Sequence, residues 1–216
     1  MSYAALNGLP IVRGSLVVPA WGIWHADVWL DRAASLTGSV TLQLADITAQ
    51  GTIIRGVSTL GQAGYRVVGG AGGWRREIES RQFANAAGLT LSTVLQTTAA
   101  PIGETVVVPA DVAIGTAFVR QAGPASLVLQ QLIPGGWRVD YDGKTYASPR
   151  AASVVTGVFS LTQVVQPTVS YTVATETPAE WLPGAVFNSP SISGTVNRVR
   201  HVITAGTLRT EVLADV

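Results

Sequence analysis

The residues of this chain that could do chemistry are few, and their spacing supports none of the reactions they suggest. The two histidines, His25 and His201, are far apart and each sits in a strand-like run. A zinc site needs a third ligand at a recognisable spacing, and none is present. Both are predicted to be structural. Glu176 and Glu180 flank Pro178 just before Trp181. A glycosidase holds two carboxyls about 5–10 Å apart across a cleft, but a proline-punctuated loop brings acids close without any cleft. Asp140-Tyr141-Asp142-Gly143 opens like a calcium loop and then lacks the third acid and the closing glutamate. The run Gly69-Gly70-Ala71-Gly72-Gly73 fits neither the P-loop nor the dinucleotide fingerprint, and no lysine follows it. It reads as a loop or a tight corner. No Gly-x-Ser-x-Gly elbow occurs. The sequence therefore predicts no catalytic residue, no metal and no cofactor.

The elements that must position these residues are mostly strands. From Ile23 to Leu30 the chain alternates, with Trp24, Ala26, Val28 and Leu30 predicted to face a core. Leu16–Val18, Val40–Leu44, Gln50–Ser58 and Gly64–Val68 supply the other strands of a small closed or nearly closed barrel. Thr90–Thr98 reads as a short helix with Leu91, Val94 and Leu95 on one face. Ala125–Ile133 is the clearest helix, with Val128, Leu129, Leu132 and Ile133 on one face and a stop at Pro134-Gly135-Gly136. A hairpin follows. Trp137–Tyr141 alternates, Asp142-Gly143 supplies the positive φ angles of a tight turn, and Lys144–Ala147 returns. This stretch, residues 122–150, reads as a linker module between two β units. Val154–Leu161, Val164–Ala174, Ser193–Ile203 and Thr207–Leu213 form the second of these units, rich in Val and Thr.

The expected fold class is mainly β with a small α+β insert, two β-barrel-like units flanking a helix-plus-hairpin module. The expected boundaries are 1–78, 79–150 and 151–216. Charged residues are 12% of the chain and the net charge is +1. That is about half the usual share of charge. It speaks against disorder and against a nucleic-acid protein carrying a basic stripe. No cysteine is present, which excludes disulfides and thiolate metal sites. No apolar run is long enough for a membrane span, and Met1–Gly14 has no signal-peptide pattern. Synthesis in a cytoplasm is expected. The six tryptophans read as core and interface anchors, with Trp181, in its Leu-Pro-Gly context, predicted to be exposed.

The order of segments carries one resemblance. A β unit, a module containing GGWRVDYDGKTY, and a closing unit ending SGTVNRVRHVITAGTLRTEVLADV together resemble the tail hub proteins of bacteriophage baseplates. Val196–His201, a turn and Leu208–Leu213 look like the terminal hairpin of such hubs. The resemblance implies a trimer whose paired barrels form a ring between the tail tube and the spike or fibres. The implied partners are further copies of this chain and other tail proteins (tube, distal tail, spike or fibre), with no recognition of nucleic-acid sequence. The implied location is the virion. Candidate interface or packing anchors are Trp137, Tyr141, Trp181, Arg198 and His201. Two other functions are set beside it: a receptor- or carbohydrate-binding module using Trp181, and a small cell-wall hydrolase using Glu180.

Overall fold

The computed structural model describes residues 3–59, 61–165, 170–190, 192–204 and 206–215. The predicted strand 164–174 falls partly outside them. Six strands open the chain: β1 (Ala4–Leu6), β2 (Leu9–Pro19), β3 (His25–Leu30), β4 (Gly38–Leu44), β5 (Ile47–Thr59) and β6 (Gln62–Gly69). They run β1-β4-β5-β6-β3-β2, and β1 pairs back onto β2, so the barrel closes. Trp24, Ala26, Val28, Leu30, Leu42 and Leu44 are fully buried inside it, as the alternation predicts. The sixth strand, β1, is absent from the sequence reading. Three residues show no periodicity, but Asn7 and Gly8 both have positive φ and turn Leu6 onto Leu9. Asn-Gly is the dipeptide that such a two-residue hairpin favours.

The middle of the chain is built from short pieces. β7 (Glu77–Ile78) pairs with β11 (Gly123–Pro124), and β8 (Arg81–Thr90) forms an antiparallel ribbon with β10 (Ala113–Arg120). Helix α1 (Leu91–Ala99) is capped by the Thr90 hydroxyl, which accepts from the Thr93 amide. It buries Leu91, Val94 and Leu95 as expected. Helix α2 (Leu127–Leu132) is the predicted second helix, with a single turn leading into it. It is the shorter of the two. β12 (Arg138–Val139) and β13 (Thr145–Tyr146) form the predicted hairpin, and β9 (Val106–Val107) adds to it in parallel.

The last unit holds β14 (Ser153–Val154), β15 (Phe159–Val165), β16 (Ser170–Thr175), β17 (Ala185–Asn188), β18 (Ser193–Thr204) and β19 (Thr207–Asp215). The order is β15-β16-β19-β18, with β17 along one half of β18 and β14 beside β17. Phe159, Tyr171, Trp181 and Phe187 pack edge-on and tilted inside it.

One long strand corrects the linker reading. β2 pairs with β18 from Gly14↔Ile203 to Pro19↔Arg198. The two β units are thus hydrogen-bonded directly into one continuous sheet. Residues 122–150 do not hold them apart. Instead the hairpin closes over one end of the first barrel. Gly22 donates to the Trp137 carbonyl at 2.8 Å, Gln50 to the Tyr141 carbonyl at 2.7 Å, and Trp24 Nε1 to the Asp140 carbonyl at 3.1 Å.

Candidate functional site

The hairpin turn differs in type from the expected one. Only Gly143 has positive φ, at 78°. Gly143 N donates to the Asp140 carbonyl, and Asp140 N donates to the Lys144 carbonyl. That is a three-residue loop, a turn followed by a left-handed bulge residue, which also demands glycine. The Asp140 carboxylate accepts from Arg150 at 2.7 Å, from Arg138 at 3.3 Å and from the Tyr141 amide at 2.9 Å. Burial opposes its ionisation, but Arg150, the Tyr141 amide and Arg138 outweigh burial and hold the carboxyl below its usual range. An acid so engaged is a structural strut and offers no base to a substrate.

The glycine run has an anion in it, supplied by the chain itself. Glu104 accepts from Gly73 N at 2.6 Å and from Ala71 N at 3.3 Å. A Cβ on Gly73 would stand 2.2 Å from the Ile102 carbonyl oxygen, and one on Gly70 would stand 2.7 Å from the Glu104 carboxylate. The run is a tight corner for steric reasons, and its Gly69, Gly70, Ala71 and Gly73 amides are occupied. Glu180 plays a similar part in the second unit, accepting from Thr156 N at 2.7 Å and Gly157 N at 2.9 Å. Those amides hold its carboxyl below its usual range.

Three of the five sequence-predicted anchors are interior, and Tyr141 is half-buried. Trp137 and Trp181 are buried, and Tyr141, in the hairpin loop, packs its ring against the core, where burial of the phenol pushes its pKa well up. Trp181 is fully buried against Phe159 and Phe187, which overturns its expected exposure. The Leu-Pro-Gly context misleads because the 3-10 turn Pro178–Glu180 directs the following ring inward. His201 is fully buried, and its Nδ1 lies 3.1 Å from the Thr210 hydroxyl. Burial lowers its pKa to about 4. Arg198 is exposed on β18. The five do not converge on one site. Among the described residues no three of His, Asp and Glu come together as metal ligands, and no helix is long and apolar enough to cross a membrane.

No protein-family model and no curated protein matches this chain. Solved structures do. The 43 kDa tail protein of prophage MuSo2 from Shewanella oneidensis superimposes with a TM-score of 0.67 at 11% identity, over 98% of this chain and 95% of that one. The chain has the fold of phage tail proteins. A tail protein from Neisseria meningitidis MC58 gives a TM-score of 0.66 at 13% identity, over 99% of this chain and 96% of that one. The E. coli c3393 protein gives 0.63 at 13%, over 98% and 76%. That protein is a component of the type VI secretion system with structural similarity to the T4 tail proteins gp27 and gp5. At these identities the likeness is one of fold.

Proposed function

We propose that this chain is a structural, non-enzymatic component of a phage tail tip or baseplate, and that three copies form a hub ring joining the tail tube to the spike or fibres. The observation that carries the reading is the extent of the shared fold: two tail proteins match it end to end, over at least 95% of each chain. The internal build agrees with it. Each subunit carries two β units fused along β2 and β18, so three subunits would present six β units to a sixfold tube. In this proposal the segments 1–78, 79–150 and 151–216 are its working parts. Trp137, Tyr141, Trp181 and His201 pack the subunit, while Arg198 faces outward. The carbohydrate-binding alternative loses its anchor with Trp181 buried, and the hydrolase alternative loses its acid with Glu180 tied to two amides. Light scattering coupled to size exclusion tests the ring. A discrete trimer is expected, and a monomer persisting at high concentration overturns the hub.

A further inference from the structure

The net charge of +1 conceals an uneven distribution. Residues directly opposite on neighbouring strands share a face of the sheet. One such row crosses six strands: Arg55, Arg66, Asp27, Ser15, Val202 and Arg209. The next row carries His25, Val17, Arg200 and Glu211, and beyond it Arg198 stands opposite Pro19. Arg13 lies over the Trp29 ring on the same face, and Arg75 rims the depression formed by His25, Arg55 and Arg66. Seven arginines thus meet three carboxylates, Asp27, Glu211 and, at the end of β19, Asp215. The face carries +4 on a chain of +1, which leaves −3 for the remainder. At about 4.8 Å per strand the rows run about 24 Å along the outer surface.

This patch is short of counter-charge. Asp27 pairs with Arg66 at 3.3 Å and Glu211 with Arg200 at 3.4 Å. Among the described residues no carboxylate reaches Arg55, Arg75, Arg198 or Arg209. A run of shallow depressions follows the arginines across both β units. The charge was invisible in the sequence because its arginines come from β2, β5, β6, the turn Gly73–Arg75, β18 and β19, two or fewer at a time.

A partner for this face must be anionic over a length of more than 20 Å. A second copy of the chain is a poor source. Of its acids off this face, Asp46, Glu104, Asp111, Asp140, Asp142 and Glu180 already accept hydrogen bonds from their own chain, which leaves Asp31, Glu77, Glu79 and Glu176 from three separate stretches of the sequence. Guanidinium forks match phosphate oxygens, and a duplex presents a charge every ~1.7 Å along its axis. We infer that this sheet face binds the phosphate backbone of double-stranded nucleic acid without reading its sequence. The inference goes beyond the tail-component reading and holds for a monomer as for a ring.

Fluorescence anisotropy with a labelled duplex of arbitrary sequence tests it. Log affinity is expected to fall linearly with log salt, and two unrelated duplexes are expected to bind alike. The Arg55→Ala/Arg198→Ala/Arg209→Ala triple variant touches only exposed side chains. It should weaken binding at least ~10-fold and flatten the salt slope by about 2.7, at about 0.9 per phosphate contact. Lys144→Ala, on the hairpin, removes one charge elsewhere and should leave the slope unchanged. No binding at low salt overturns the inference, as does a triple variant with an unaltered slope. Displacement of the duplex by poly-L-glutamate at equal charge overturns it in favour of an acidic protein partner.

Discussion

Gly73 and Glu104 are joined by the shortest backbone-to-carboxylate bond among the described residues, 2.6 Å from the Gly73 nitrogen to Oε1. The bond locks the corner after β6 to the turn after α1. Glu104→Ala would leave the Gly73 and Ala71 amides without their acceptor. An unmet buried donor costs about 1–3 kcal/mol, so a loss on the order of 2–3 kcal/mol is expected by chemical denaturation. The pH dependence carries a second signature. Burial raises the Glu104 pKa, more than the Gly73, Ala71 and Trp74 amides and Arg76 lower it. The folded state therefore holds this proton more tightly than the unfolded chain. The contribution favours folding at low pH and is lost as pH rises from the ordinary glutamate value through the folded one. Glu104→Gln should abolish that part of the profile.

His201 should produce the opposite slope. Its folded pKa of about 4 lies below the ordinary 6.5 because burial disfavours the cation. Between those values the unfolded chain binds the proton and the folded one does not. Stability is whole above pH 6.5 and falls as pH drops toward 4, by an amount on the order of 3 kcal/mol. Replacing His201 together with its hydroxyl partner, His201→Leu/Thr210→Val, should flatten thermal stability across that window. A double variant as acid-sensitive as the parent would assign the loss to other groups.

Much of the fold was legible because strand alternation is local. Trp24 to Leu30 placed the core-facing residues of β3 one by one, and Thr90 to Thr98 placed α1 and its apolar face, though not its Thr90 cap. The β2–β18 ladder was not legible, since nothing local says that Val17 lies beside Arg200. That one pairing turned a supposed linker into a cap and gathered the arginines onto one face. Trp181 failed for a related reason. Proline and glycine neighbours argue for a surface turn, but the burial of its ring is decided by Phe159 and Phe187, which arrive from other strands.

Trp181 in its observed place is a stability residue. Its ring centroid lies 5.0 Å from Phe159 and 5.5 Å from Phe187, and it is fully buried. Trp181→Ala should cost about 3–5 kcal/mol by leaving a cavity the sheet cannot close. Trp181→Phe keeps most of the volume and should cost markedly less. Equal losses for both, measured by urea denaturation, would mean that the indole ring contributes something beyond packing.

The hairpin over the barrel mouth gives the last expectation. Gly143 sits at φ +78°, and a Cβ there would meet the Gln50 Cβ at 3.2 Å. Gly143→Val combines two penalties: a β-branched residue in the left-handed region and a contact the barrel must yield to. A loss of about 2 kcal/mol or more is expected in thermal or chemical denaturation. Gly143→Asn meets the same contact, but asparagine tolerates the left-handed region, so its loss should be smaller. The contrast separates backbone strain from crowding. If asparagine and valine cost the same, crowding against Gln50 dominates. If valine costs nothing, the bulge at Gly143 is not what fixes the hairpin on the barrel.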